Sequence, residues 1–170
     1  MRTIVVYQSS TGFTKQYAGW IAQECGCNAI SIKQLPPQGL QGYDLVVFGG
    51  WVMGGLISGL DAVKKASPQH LIVFAVGATP AELVDPAAMK TQNGLNETPF
   101  FYLVGGFRFN QLNFMVKGML KLLKSSVAKK ENKTPQEQFM ASALGTSFDS
   151  SDRAAIAPLV AAIQAAQEKL

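Results

Sequence analysis

Runs of consecutive apolar residues, each the length of a strand, recur along this chain with helix-like stretches between them, and that alternation leaves few folds open. Thr3 to Gln8, Leu45 to Gly49, Leu71 to Val76 and Phe100 to Val104 are such runs, and Ala29 to Ile32 is a shorter one. Strands that are apolar at successive rather than alternate positions are covered on both faces, as in parallel sheets. Phe13 to Glu24 reads as a helix, with Tyr17, Trp20 and Ile21 on one stripe and Gly26 to end it. Leu60 to Ala66 reads as a short helix, and Pro80, Glu82 and Asp85 suit the start of another running toward Lys90. Asp152 to Lys169 is an alanine-rich helix with Ile156, Leu159, Val160 and Ile163 at helical spacing and Ser150 or Ser151 to cap it. The pattern specifies an α/β chain, a doubly wound five-stranded parallel sheet with helices on both faces. At 170 residues, 48% of them hydrophobic, it predicts a single domain spanning residues 1–170.

The first apolar run stops at Gln8 and passes through Ser9, Ser10, Thr11, Gly12, Phe13 and Thr14 into the first helix. Hydroxyl side chains and free backbone N–H groups are thereby gathered at a helix N-terminus, where the helix dipole favours an anion. The glycine order is neither that of a P-loop nor that of the dinucleotide fingerprint. Hydroxyls around a single glycine suit the phosphate of a mononucleotide. A turn of this composition also serves as a plain helix cap. Its place favours the ligand, because in an open doubly wound sheet the turns at the carboxyl ends of the strands line one crevice.

On these residues the chain resembles the flavodoxins, whose first loop has the order Ser/Thr, any residue, Thr, Gly, Asn or similar, Thr. Ser9 to Thr14 matches it in place, with Phe13 where many members carry Asn. Gly105, Gly106, Phe107, Arg108 and Phe109 are also similar to a run in the short-chain group that includes menaquinone-dependent protoporphyrinogen dehydrogenase. The resemblance implies strand order 2-1-3-4-5, FMN as cofactor, and a phosphate held by Ser9, Ser10, Thr11, Gly12, Phe13 and Thr14. It implies a flavin ring lined by Gly50, Trp51, Val52, Met53 and Gly54 from the turn after the third strand, and by Gly77, Ala78 and Thr79 from the next. Four glycines between Gly49 and Gly55 let backbone approach a flat ring, and Trp51 either meets that ring or packs the loop onto the core. The third turn carries neither an acid nor an aromatic, so one flavin face is expected to be open to a second flat molecule such as a quinone. Met53, Gly54 and Gly55 replace the Arg-Tyr-Gly of the resembling group, so its substrate contacts do not carry over.

No acid, base or nucleophile stands out. His70 is the only histidine, and Cys25 and Cys27, separated by Gly26, have the spacing of neither a redox pair nor a metal site. No basic leader or membrane-length apolar run is present, so the chain is expected in the cytoplasm, peripheral to a membrane at most.

About forty residues, 107–148, separate the last strand from the last helix, far more than an ordinary connection needs. They hold seven of the fifteen basic residues and, from Arg108 to Lys133, only the acid Glu131. Leu112, Met115, Val116, Met119, Leu120, Leu122 and Leu123 share a broad helical face, with Lys117, Lys121 and Lys124 on another and Phe114 off the stripe. This inserted amphipathic helix either packs on the core or lies against an anionic membrane surface or a redox partner. Nucleic acid is a poor partner, since few aromatics interleave with the lysines. Three functions remain: an oxidoreductase exchanging electrons with a quinone or a porphyrinogen, a non-enzymatic electron shuttle, or a binding module without flavin.

Overall fold

The computed structural model describes residues 1–35 and 39–170. Pro36 and Pro37, in the expected linker after the second strand, lie outside them. Five parallel strands form the sheet: β1 (Thr3–Gln8), β2 (Asn28–Ser31), β3 (Leu45–Met53), β5 (Leu71–Gly77) and β6 (Phe100–Val104). A two-residue strand, β4 (Leu56–Ile57), pairs antiparallel with the end of β3. The order is β2-β1-β3-β5-β6, which among the parallel strands is the expected 2-1-3-4-5.

Successive strand residues leave opposite faces of a pleated sheet, and each face here builds its own core. Val5, Val47 and Phe74 pack beneath Tyr17 and Ile21 of α1 (Phe13–Glu24) and Leu159 and Ile163 of α6 (Ala157–Lys169). Ile4, Val6, Val46, Phe48 and Val73 pack on the other side, under Leu60 and Val63 of α2 (Leu60–Lys65) and Met89 of α3 (Pro86–Gln92). The Tyr17 hydroxyl donates to the Val104 carbonyl at 2.6 Å and accepts from the Asp152 N–H at 3.0 Å, tying α1, β6 and the entry to the last helix together. Burial holds this phenol's pKa above its ordinary value.

Several boundaries differ from expectation. Asp85, not Pro80, starts the third helix, because its carboxylate accepts from the N–H groups of Ala87 and Ala88 while Pro86 occupies the first helical turn. Asp152, not Ser150 or Ser151, caps the last helical segment by accepting from the Ala154 N–H, and a 3-10 turn at Arg153–Ile156 precedes α6. The inserted segment holds two helices, α4 (Phe114–Ala128) and α5 (Pro135–Ala143), and is closed by a small ribbon in which β7 (Gly106–Phe107) pairs antiparallel with β8 (Phe148–Asp149).

The broad apolar face of α4 is divided. Val127 is buried and Val116 and Leu120 half-buried, whereas Phe114, Met115, Met119, Leu122 and Leu123 are exposed. Of the lysines, Lys117 is half-buried, donates to the Asn110 carbonyl and lies over the Phe109 ring, whereas Lys121 and Lys124 are both exposed, Lys124 donating to the Leu144 carbonyl. The two bonded ammonium groups keep their charge, since their acceptors are neutral carbonyls.

Candidate functional site

The carboxyl ends of β1, β3, β5 and β6 gather at one edge, since Gln8 lies beside Gly50, Trp51 beside Val76 and Gly77 beside Val104. The chain leaves β1 for β2 on one side and returns to β3 on the other, which makes the β1 end the switch point of the sheet.

The loop from Ser9 to Gly12 occupies that point. Gly12 adopts φ 100°, a left-handed conformation that turns the chain into α1, and its N–H donates to the Ser9 hydroxyl at 3.2 Å. The Gln16 N–H donates to the Gly12 carbonyl at 2.9 Å, so the N–H groups of Phe13, Thr14 and Lys15 lie ahead of the helical ladder. The first turn has no acid and no side-chain cap. Together with the hydroxyls of Ser9, Ser10, Thr11 and Thr14, this is a donor set without a countercharge, and it fits a phosphate. The Phe13 side chain is buried in the core, so only its backbone is available to a ligand. Thr14 is buried at the foot of the loop.

The second candidate segment is a strand and hairpin rather than an open glycine loop. Strand β3 continues through Trp51 to Met53, and Gly54 and Gly55, at φ 58° and 80°, turn it into β4. Gly49 and Gly50 are small for internal reasons: a Cβ at Gly49 would lie 2.0 Å from the Phe74 ring, and one at Gly50 2.4 Å from the Ser58 carbonyl. Their space is filled by protein, so Gly50 does not offer bare backbone to a ring. Val52 packs on the core beneath α2 and α3. Trp51 is half-buried, belongs to neither core cluster, and shares the α1 face of the sheet with its neighbour Val76. It therefore leaves the sheet on the side where the phosphate loop enters its helix, with exposed Met53 two residues beyond.

The third segment is braced from its neighbour strand. The Tyr102 hydroxyl donates to the Thr79 carbonyl at 2.8 Å, and a Cβ at Gly77 would lie 2.4 Å from that hydroxyl. Burial drives the Tyr102 pKa well above its usual value, so the phenol stays protonated and the bond persists. Ala78 and Thr79 are half-buried at the edge.

Beyond them opens a cleft of about 500 Å³. Ala78, Pro80 and Ala81 form one wall, Phe139 and Ala143 of α5 with Phe148 form the other, and Glu82 is its charged residue. Phe139 meets Phe148 edge to face, and Phe107 stacks with Phe148. Sequence reasoning did not find α5. Its signal is the capping box at Thr134, Pro135, Gln136 and Glu137, where the Thr134 hydroxyl accepts from the Glu137 N–H and the Glu137 carboxylate accepts from the Thr134 N–H.

Arg108 was also missed. Its Nη1 donates to the Thr11 carbonyl at 2.7 Å, its guanidinium lies 4.2 Å over the Phe13 ring, and its Nη2 is 3.6 Å from the Asp149 carboxylate. Among the described residues no cluster of His, Cys, Asp and Glu could hold a metal, and no helix is long and apolar enough to cross a membrane. Cys25 and Cys27 are half-buried free thiols, and burial pushes Cys25 up to about 11, away from nucleophilic duty.

A doubly wound sheet with a hydroxyl-lined anion loop at its switch point defines a mononucleotide-binding class of α/β protein. The chain belongs to the flavodoxin domain family, whose model matches residues 4–134. Solved structures of similar fold include a flavodoxin from the domain Archaea, 19% identical, covering 61% of this chain and 83% of that one with a TM-score of 0.44. A flavoprotein in complex with FMN from Lactobacillus acidophilus is 15% identical, covers 61% and 90%, and has a TM-score of 0.41. The Trp repressor binding protein from Bacillus subtilis is 15% identical, covers 78% and 100%, and has a TM-score of 0.42. No protein with a curated description matches the chain.

Proposed function

We propose that this chain is an FMN-binding redox protein that exchanges electrons with a flat, quinone-like molecule. The observation that carries the reading is one of placement: the uncompensated anion loop of Ser9 to Thr14 and the half-buried Trp51 lie at the same edge and on the same face of the sheet. The loop would hold the FMN phosphate through hydroxyls and N–H groups, and Trp51 with Gly77, Ala78 and Thr79 would flank the ring. FMN, when bound, supplies the electron transfer. The protein's part is to bind it, orient it and govern what reaches it.

The cleft between Pro80 and α5 supports a second flat molecule rather than a closed electron carrier. It adjoins Ala78, its walls are small or aromatic, and Glu82 is its one charged side chain. The apolar residues exposed on α4 fit a substrate that resides in a membrane. Phe114, Met115 and Leu122 point to solvent beside Lys121, which matches a helix lying in the headgroup region of an anionic bilayer.

The deciding experiment is the visible spectrum of protein mixed with FMN and desalted, followed by turnover with a soluble quinone and with a porphyrinogen. Retained flavin colour with turnover is the expected result. Retained colour without turnover points to an electron shuttle docking on a protein partner. A colourless protein that leaves FMN fluorescence unquenched overturns the cofactor and leaves a binding module.

A further inference from the structure

Arg108 stands where elementary electrostatics disfavours a cation. The N-terminus of α1 carries the positive end of its helix dipole, equivalent to roughly half a charge, and no acid in the first turn offsets it. The guanidinium is nevertheless held there from 97 residues away in sequence, by the Thr11 carbonyl, the Phe13 ring and Asp149. Asp149 is a loose counterion. Its nearer contacts are with Ser151, whose hydroxyl and N–H donate to it at 2.5 and 2.9 Å, while Nη2 of Arg108 lies at 3.6 Å. A well-formed charge-assisted pair closes to about 2.7–2.9 Å.

The surroundings are shaped for this side chain. A Cβ at Gly12 would lie 2.6 Å from Nη1, so the residue that turns the loop also makes room for the arginine. Phe13, on which the guanidinium rests, is seated in turn against Gly105 and Gly106, where Cβ atoms would come within 3.1 and 2.8 Å of its side chain. The presence of Phe at position 13 has the same explanation, because its ring is a platform for Arg108 and not a ligand contact.

We infer that Arg108 is a positioning residue for the phosphate loop: it fixes the Thr11 carbonyl from outside and adds a positive charge beside a bound phosphate, thereby linking the inserted segment to the cofactor. This rests on the FMN reading above. A dianionic phosphate would supply the countercharge that the helix end, the loop and Arg108 share. Because Arg108 begins the insertion, displacement of β7 and the Phe109–Gln111 turn would release the loop.

The test compares FMN with riboflavin, which lacks the phosphate, by fluorescence titration of wild type, R108A and R108K, with circular dichroism on each. R108A should weaken FMN binding about tenfold or more, the scale of one lost charge-assisted hydrogen bond, and leave riboflavin affinity unchanged. R108K, which keeps the charge and loses the two-nitrogen fork, should fall between, and carries the same comparison should R108A fail to fold. FMN and riboflavin affinities that shift together, or neither shifting, would overturn the inference and leave Arg108 a surface ion pair of little consequence. Wild type that binds FMN while both variants bind it as tightly sinks this inference alone; wild type that binds no FMN sinks the cofactor reading with it.

Discussion

The sheet and the inserted segment treat large apolar side chains in opposite ways. In the sheet and its helices, Tyr17, Phe48, Phe74 and Ile21 have no exposed surface. In the insertion, Val127 and Leu144 are the buried residues, while Phe114 is 83% exposed, Leu122 74% and Met115 71%. Fully burying a side chain of this size is worth about 1.5–3 kcal/mol, so the sheet owes its stability to its strands and α4 leaves comparable stabilisation unused. A contiguous apolar arc left in water marks a surface meant to be covered. One region buries its large apolar side chains within the fold, and the other leaves them at the surface, as the proposed membrane contact requires.

The comparison breaks first if the sheet core is soft. Phe74→Ala removes a fully buried ring from β5, an inner strand of the sheet, and should cost about 3–5 kcal/mol, read as a lower midpoint in urea or thermal unfolding. A cost below about 1 kcal/mol would mean that this core repacks as freely as a surface. Gly49→Ala tests the same contact from the facing strand. Its Cβ would enter the Phe74 ring at 2.0 Å, so overpacking by about 1–3 kcal/mol is expected. In a Phe74→Ala background the alanine should be tolerated, because the atoms it strikes are gone; additive costs would refute the explanation given for Gly49.

These residues also show what was legible in the sequence. Consecutive apolar positions announce a strand buried on both faces, and β1, β3, β5 and β6 were found on that signal alone. The Ser9 to Thr14 turn was legible as the entry to α1, because hydroxyls and one glycine after a buried strand suit a helix N-terminus, whether it caps the helix or holds a ligand. The glycines at 49 and 50 misled, since a glycine needed for a neighbour's ring and a glycine needed for a ligand look the same until Phe74 and Ser58 are placed. Arg108 was invisible as a site residue because its contact with Thr11 depends on tertiary folding across 97 positions. On α4 the wheel found the apolar arc and could not say which part of it meets the body, because an arc wider than one neighbour can cover looks uniform in sequence. Lys117 and Lys124 illustrate the same limit, with the carbonyls of Asn110 and Leu144 supplied by turns that the spacing does not describe.

The smallest expected effect on stability is the sharpest probe of the insertion. Met115 and Leu122 touch water in the isolated chain, and α4 is anchored through Val127 and the Lys124 bond to Leu144, while the Asn113 side chain caps it by accepting from the Val116 N–H. The double substitution Met115→Ser and Leu122→Ser should therefore move unfolding stability by no more than about 0.5 kcal/mol, within the range of ordinary surface changes. The same pair should sharply reduce co-sedimentation with vesicles containing anionic lipid, because apolar contact with the acyl boundary and lysine attraction to the headgroups act together in interfacial helices. A loss of several kcal/mol would mean that these side chains are packed in solution and that the contrast with the sheet is false. Unchanged stability with unchanged vesicle binding would break the lipid reading instead, and would leave the apolar arc to a protein partner whose docking should weaken in salt as far as Lys117, Lys121 and Lys124 contribute.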